Sequence, residues 1–273
     1  MKVAAIQLNG TERPFEEQKD YVATQIETAA KNGAQLIALP EALFGPWIPG
    51  LNDILNPLLK FFSALAKKNK IWLCPGTLWE RSPDPGKVYN TTFLLDLQGK
   101  LCARYRKIHL FDVTLPSGIS YHESQKICAG KKIVVVQSDF GVVGLGICFD
   151  IRFGNLFVQM SKKNRVDVLI LPNNFAHETG QHHFEVLLRA RAIENQAFVL
   201  APNQYGPQKE NSKSFGTSLI LDPFGSVLAI APAQEPAIIY ADWNFQKQQE
   251  LQERFPMRTT THLSKNVKKG RGE

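Results

Sequence analysis

One cysteine of this chain lies where a nucleophile could act. Residues 142–147 form an apolar run that predicts a strand buried on both faces, and the run ends at Cys148. A helix predicted just after it, over Phe153–Ser161, would bring backbone N–H groups and a positive dipole end near the sulfur, which favours the thiolate. A thiolate attacks electrophilic carbon readily. The alternative is that Cys148 is an inert core residue, as many free cysteines are.

A carboxylate and a lysine elsewhere in the chain could serve such a nucleophile. Glu41 directly follows a short buried strand predicted over residues 35–39, and Lys107 precedes the apolar Ile108. Taken singly, each could be a solvated surface charge, as most charged side chains are. Together with Cys148 they would supply a base that takes the thiol proton and a cation that stabilises developing negative charge.

Histidine offers a rival mechanism, in which an imidazole is the base of a Cys–His hydrolase. None of the six histidines lies in a recognisable protease signature; they are His109, His122, His177, His182, His183 and His262. The segment from His177 to His182 also lacks the i, i+4 spacing of a zinc-binding H-E-x-x-H motif, so we expect no metal. Neither a phosphate-binding glycine loop nor a G-x-S-x-G elbow occurs, so we expect no cofactor and no serine nucleophile.

The elements that must position these residues follow a repeated order of helix, short buried strand and proline. Proline cannot donate to the next ladder bond, so each proline marks the carboxyl end of a strand. The predicted helices span about 15–32, 53–68, 153–161 and 182–195, and the strands that follow them end before Pro40, Pro75, Pro172 and Pro202. A last helix, capped by Asn244, is predicted to end before Pro256.

Strands that alternate with helices indicate parallel pairing, and ligands are expected beyond the carboxyl ends of such strands. Glu41 and Cys148 both occupy that edge. Hairpin-like segments lie between these units, for example around the turn at Asp222-Pro223-Phe224-Gly225. The pattern as a whole predicts an α/β fold, a four-layer αββα sandwich in which two mixed sheets pack face to face with helices outside.

Three motifs together resemble the nitrilase superfamily of carbon–nitrogen hydrolases. They are a Glu-Ala corner at Glu41, the R-K-x-H-L-F segment at 106–111 and the G-I-C-F-D-x-R-F segment at 146–153. The resemblance spans about 3–256 and implies a catalytic triad of Glu41, Lys107 and Cys148. It also implies a second active-site glutamate at Glu123, which would position substrate or water, restrain Lys107, or form only a salt bridge. The backbone N–H of Phe149, next to the nucleophile, could help to position the substrate by stabilising an oxyanion.

Asp150 and Arg152 resemble family residues too, and we expect both to pair with neighbouring groups, because an unpaired buried arginine is costly. Two departures bear on substrate choice. Gly154-Asn155 stands where relatives commonly have Pro-Glu, and the segment 44–50, which would line the entrance, is short and rich in proline.

The resemblance implies an amidase that cleaves a terminal amide of a small carboxylic acid through a cysteine thioester, most like the ω-amidase and deaminated-glutathione amidase branch. Alternatives on the same triad are an N-carbamoyl amino acid amidohydrolase or a true nitrilase; a different class is a catalytically silent binding protein. The small-molecule amide would be an anion that needs an arginine or lysine, which the sequence does not identify. The family also implies a homodimer.

Composition sets the remaining bounds. Of the formal charge of +7, residues 262–273 carry +3, and this aromatic-free segment is typical of a solvated tail rather than a nucleic-acid arm. We therefore predict one domain over 1–258, a basic tail over 259–273 and no nucleic-acid partner. Four widely spaced cysteines suggest a reducing compartment, and with no signal peptide and no apolar run of about 20 residues we expect a cytoplasmic protein without a membrane span.

Overall fold

A computed structural model describes residues 1–45, 55–161, 165–208 and 212–257 of the chain. Its strands are β1 (Lys2–Gln7), β2 (Leu36–Ala38), β3 (Trp72–Cys74), β4 (Thr77–Arg81), β5 (Val88–Leu95), β6 (Leu101–Arg106), β7 (Asp112–Thr114), β8 (Ser120–His122), β9 (Val135–Ser138), β10 (Gly141–Leu145), β11 (Val168–Ile170), β12 (Phe198–Ala201), β13 (Tyr205–Pro207), β14 (Lys213–Phe215), β15 (Leu219–Leu221), β16 (Val227–Ile230) and β17 (Ala237–Asp242). Its helices are α1 (Phe15–Lys31), α2 (Leu55–Asn69), α3 (Gly154–Ser161), α4 (His177–Asn195) and α5 (Phe245–Arg254), with short 3₁₀ helices at Glu123–Gln125 and Cys148–Arg152.

The strands form two large mixed sheets. The first has the order β17-β1-β2-β3-β5-β4, with β6 also paired to β5, and the second has the order β16-β15-β12-β11-β10-β9. Pairing is parallel along β1-β2-β3 and along β10-β11-β12, and antiparallel elsewhere. The helix, strand and proline repeat predicts four of these parallel strands, β2, β3, β11 and β12.

The core explains the layered arrangement. One face of the first sheet packs on α1 and α2 through side chains such as Ile6, Ile26 and Phe62. Its other face packs on the second sheet through side chains such as Ala5 and Leu145, and α3 and α4 cover that second sheet. Because successive strand residues point to opposite faces, each buried strand supplies both layers. The predicted four-layer αββα sandwich is confirmed.

The helix predictions are correct in existence but not in every boundary. α1 ends one residue before the predicted Asn32, and Asn244 accepts a hydrogen bond from the Lys247 N–H, which confirms it as the cap of α5. The prediction for α4 was wrong by one and a half turns, because the helix begins at His177 rather than at His182. α3 begins at Gly154, so the departure from Pro-Glu does not remove this helix.

Several predictions fall outside the described residues. These are the first two residues of the predicted second helix, most of the proline-rich segment after Phe44, and the basic tail over 259–273. Among the helices that are described, none combines the length and hydropathy needed to cross a membrane. The described residues also contain no group of three or more His, Cys, Asp or Glu side chains arranged to hold a metal ion.

Candidate active site

Cys148 begins a 3₁₀ helix directly after β10, at a sharp corner of the backbone. Its φ is +44°, a left-handed value that is unfavourable for a residue with a side chain and is found preferentially at functional sites. The Cys148 N–H donates to the Pro172 carbonyl at 3.0 Å, which ties the corner to the end of β11. Gly146 allows this approach, because a Cβ there would meet Leu171 at 2.9 Å. The corner therefore depends on the parallel pairing of β10 and β11.

Glu41 follows β2 and Pro40 and is held from both sheets. Its carboxylate accepts hydrogen bonds from Asn90 Nδ2 at 2.7 Å and from the backbone N–H of Asn174 at 2.9 Å. Its own carbonyl accepts a hydrogen bond from Gln204 Nε2 at 2.6 Å. The Glu41 side chain is buried, and these donors hold its carboxylate in one orientation.

Lys107 follows β6 and reaches Glu41 and Glu123 at once. Its Nζ lies 3.0 Å from Glu41 Oε1 and 2.9 Å from Glu123 Oε2, and the lysine is only 2% exposed. Glu123 Oε2 also accepts the Phe111 N–H at 2.6 Å. The two carboxylates balance the charge of the buried ammonium and hold it in place.

The charges at the site shift two pKa values strongly. Burial lowers the pKa of Lys107, but the negative charges of Glu123 and Glu41 outweigh burial and raise the pKa well above its ordinary value. Burial raises the pKa of Cys148 well above that of a free thiol; Glu41 raises it further, while Lys107 opposes the shift. The negative charge of the Glu41 carboxylate acts directly on the Cys148 thiol. Burial and the neighbouring carboxylate therefore outweigh the helix end that was expected to favour the thiolate, and the thiol needs a base, as predicted.

All five predicted site residues line one cavity of about 770 Å³: Glu41, Lys107, Glu123, Cys148 and Phe149. The backbone N–H of Phe149 has no acceptor among the described residues. The groups that act electrostatically on the thiol are a carboxylate and an ammonium rather than an imidazole. The arrangement can thus remove a proton from sulfur and offer donors to a developing oxyanion.

Asp150 pairs with neighbours, as predicted. It is fully buried, and its carboxylate accepts hydrogen bonds from Tyr105 Oη at 2.7 Å, from the Ile147 N–H at 3.0 Å and from the His109 N–H at 3.0 Å. The His109 ring nitrogen Nδ1 lies 2.7 Å from the same carboxylate. This cluster joins the backbone after Lys107 to the backbone before Cys148.

Arg152 pairs with neighbouring groups, as predicted, and it also lines the cavity. Its Nη1 lies 3.0 Å from His183 Nδ1, and its guanidinium lies over the rings of Phe175 and Phe149, at 4.8 and 5.6 Å from their centres. Its buried Nε has no hydrogen-bond partner among the described residues. A guanidinium cation that lines a cavity is suited to an anionic ligand.

Sequence reasoning missed Asn90 and Asn174. Asn174 follows Pro172 at the end of β11, so the rule that ligand-binding residues follow such strands could have indicated it. Asn90 lies inside β5, where it is followed by two threonines, and a polar residue within a strand gives no comparable signal.

The chain was compared with known proteins. Residues 2–253 match the family described as carbon-nitrogen hydrolase. The omega-amidase NIT3 of Saccharomyces cerevisiae is 35% identical in an alignment that covers 89% of this chain and 86% of that protein. A deaminated glutathione amidase of Synechocystis is 37% identical in an alignment that covers 93% of this chain and 95% of that protein.

The fold agrees with the sequence comparison. The crystal structure of Saccharomyces cerevisiae Nit3, described as a member of branch 10 of the nitrilase superfamily, aligns with a TM-score of 0.83 at 30% identity and covers 96% of both chains. The family match covers nearly the whole chain, and the identity to these relatives and the shared fold agree with it. The chain belongs to the carbon–nitrogen hydrolase family, within the nitrilase superfamily, and is a hydrolase of carbon–nitrogen bonds.

Proposed function

We propose that this hydrolase cleaves the terminal amide of a small carboxylic acid through a thioester at Cys148, with Glu41 as the base and Lys107 as the oxyanion-stabilising cation. The observation that carries the proposal is the convergence of these three buried side chains in one cavity. The curated relatives named omega-amidase and deaminated glutathione amidase support the substrate class.

The first half of the reaction forms the thioester. Glu41 takes the proton of the Cys148 thiol, whose pKa its charge raises, and the sulfur attacks the amide carbon. The carbonyl π electrons move to oxygen, and the resulting oxyanion accepts hydrogen bonds from Lys107 Nζ and the Phe149 N–H. Protonated Glu41 then gives its proton to the leaving nitrogen, the carbon–nitrogen bond breaks and ammonia departs. Loss of one oxyanion donor costs about 3 kcal/mol in other hydrolases.

The second half returns the enzyme to its starting state. Glu41 takes a proton from a water molecule, whose oxygen attacks the thioester carbon. The new oxyanion occupies the same donors, and its collapse breaks the carbon–sulfur bond to release the carboxylic acid. The proton on Glu41 returns to the sulfur, which restores the neutral thiol that the raised pKa of Cys148 favours.

Glu123 holds Lys107 in this scheme. Both of its carboxylate oxygens have partners, the Lys107 ammonium and the Phe111 N–H, so it is suited to restraining the cation. It also ensures that Lys107 remains protonated when Glu41 becomes neutral during the reaction, because one carboxylate still faces the ammonium.

Arg152 is the group we propose for the carboxylate of the substrate. It lines the same cavity as Cys148 and remains charged at neutral pH. Arginine binds a carboxylate through two parallel N–H donors, which would fix the amide end of a short acid relative to the sulfur.

Ammonia release and mass spectrometry test the reaction. We expect ammonia from short ω-amides that carry a carboxylate, together with an acyl adduct on Cys148 when turnover is quenched. Cys148→Ala should give neither and should remain folded. Deaminated glutathione, N-carbamoyl amino acids and nitriles complete the panel and separate the alternatives that share the triad. Unmodified protein and no ammonia across the whole panel would instead identify a silent binding protein.

The role of Arg152 is tested by comparing an amide that carries a carboxylate with an uncharged amide of the same length. Arg152→Gln should raise the KM of a carboxylate-bearing amide by roughly 10- to 100-fold, because a charged hydrogen-bonded pair contributes about 1.5–3 kcal/mol. The uncharged amide of the same length provides the matched control and should lose much less. If both substrates change equally, Arg152 supports the fold of the site and does not bind the carboxylate.

We also propose a homodimer through the face formed by α3, α4 and the turn before β16. Apolar side chains are exposed on this face, among them Val158, Val186 at 65% and Phe224 at 67%. Contiguous exposed apolar surface is typical of association sites. Sedimentation should give twice the mass of one chain, and Val186→Asp should shift the protein toward monomer. A monomer at all concentrations would contradict the proposal.

A reducing compartment such as the cytoplasm completes the proposal. All four cysteines, Cys74, Cys102, Cys128 and Cys148, are free thiols, and the proposed chemistry needs Cys148 reduced.

A further inference from the structure

A second cavity of about 400 Å³ lies outside the active site, beside β5 and β6. Tyr89, Arg104, Arg106, Lys131 and Lys132 are among the residues that line it. Tyr105 and Ala103, the residues that alternate with the arginines, pack in the core between the two sheets. Because strand residues alternate between faces, Arg104 and Arg106 point to the opposite, outer face.

The two arginines are held in place before any ligand arrives. Glu80, whose side chain is 9% exposed, receives two hydrogen bonds from Arg106, at 2.9 and 2.8 Å, and one from Arg104 at 2.9 Å. The Arg106 guanidinium also lies 4.1 Å from the centre of the Tyr89 ring. These contacts use only some of the N–H donors of each arginine, and both arginines line the cavity.

Two lysines supply further positive charge. Lys131 and Lys132 are exposed and form no ion pair with any described residue. The adjacent Gly130 fixes their segment against β6, since a Cβ at this position would meet the Arg106 carbonyl oxygen at 2.2 Å. Four cations against the single carboxylate of Glu80 leave this cavity with a net charge of +3.

We propose that this cavity binds a triphosphate group. A triphosphate carries about four negative charges at neutral pH and many acceptor oxygens, which matches fixed arginine donors combined with mobile lysine ammonium groups. Its charge density favours it over a tricarboxylate of similar size. The same group occurs in free tripolyphosphate and in nucleoside triphosphates, and the shared phosphate chemistry is what the cavity recognises.

The proposal does not depend on the amidase function. The Gly130 N–H donates to the Lys107 carbonyl at 2.7 Å, so the cavity wall is connected to the backbone of the active site. Binding can nevertheless be measured in protein with or without turnover.

Calorimetry on the full chain tests the proposal with tripolyphosphate, ATP and citrate at low salt. We expect saturable binding of one tripolyphosphate per chain, weaker binding of citrate, and at least a roughly tenfold loss of affinity in the double variant Lys131→Gln/Lys132→Gln. The matched control is Lys60→Gln/Lys67→Gln, which removes the same charge from exposed positions on α2 and should bind like the unaltered chain. Similar affinities for tripolyphosphate and ATP would indicate that the phosphates alone are recognised, and tighter ATP binding would indicate that a nucleoside is also held.

Three results would overturn the proposal. The first is the absence of saturable tripolyphosphate binding at concentrations up to about 1 mM, which corresponds to a binding free energy of about 4 kcal/mol. The second is equal affinity for the Lys131/Lys132 variant and the unaltered chain, which would assign the binding to the basic tail or the main cavity. The third is equal affinity for citrate and tripolyphosphate. Thermal melting of both lysine variants provides the check on folding.

Discussion

Asp150→Asn tests whether the buried carboxylate cluster positions the active site. Asp150 Oδ2 accepts from Tyr105 and from the Ile147 N–H, and Oδ1 faces two donors of His109, its backbone N–H and its ring. Asparagine has the same shape, but one of its two terminal atoms is a donor. The favourable orientation keeps the amide oxygen toward Tyr105 and Ile147 and turns the amide nitrogen toward His109.

The cost of this change follows from what His109 can adjust. The imidazole can switch tautomer and accept from the new amide, whereas the backbone N–H cannot become an acceptor. One backbone donor therefore loses its partner, which costs about 1–3 kcal/mol, and the remaining hydrogen bonds lose the assistance of a charge. We expect a loss of about 2–4 kcal/mol in the free energy of unfolding, or roughly 5–15 °C in melting temperature for a chain of this size.

Activity should fall together with stability. His109 is two residues from Lys107, and a displacement of about 1 Å of a reacting group can cost about 100-fold in rate. We expect kcat to fall at least tenfold while KM changes little, because the cluster does not contact substrate.

Urea unfolding and steady-state ammonia release provide the measurements. The matched control is Asp222→Asn in the turn before β16, where one carboxylate oxygen accepts the Phe224 and Ser226 N–H groups and the amide oxygen can do the same. That variant should retain both the unfolding midpoint and kcat. Equal behaviour of the two variants, in either direction, would refute the positioning role of Asp150.

Two further predictions concern the thiol and helix packing. Glu41→Gln should move the pH midpoint of Cys148 alkylation to lower pH, because the negative charge that it removes raises the pKa of the thiol. Mass spectrometry of the alkylated protein measures this midpoint. An unchanged or higher midpoint would contradict the coupling. Gly180→Ala should lower the free energy of unfolding by about 1–3 kcal/mol. The added Cβ would meet the Phe215 ring at 2.4 Å, and this overpacking outweighs the better helix propensity of alanine. Unchanged or increased stability in urea would show that Phe215 moves aside at no cost.

The position of α4 shows where sequence patterns stop being sufficient. Its first turns contain His177, Gly180 and Gln181, which lack an apolar periodicity, and glycine disfavours helix. The helix nevertheless begins at His177, because Gly180 packs directly under Phe215 of β14 and only the absence of a side chain permits that contact. Long-range packing therefore overrides local propensity.

The pKa of Cys148 makes the same point for chemistry. A sulfur at the start of a helix predicts an acidic thiol when only local structure is considered. Burial by both sheets and the charge of Glu41, which is distant in sequence, reverse the sign. The magnitude and even the direction of such a shift depend on residues that the chain brings together only when folded.

The sequence by itself determined the buried strands, the prolines that end them and the motifs at Glu41, Lys107 and Cys148, because these depend on local residue types and spacing. Only the tertiary structure decided that Asn90 and Asn174 hold Glu41 and that Asp150 accepts hydrogen bonds from the backbone on both sides of the site. The same is true of Arg152, which lines the cavity beside His183. Such contacts join side chains far apart in the chain, and their geometry is set by how the two sheets pack, which no local pattern records.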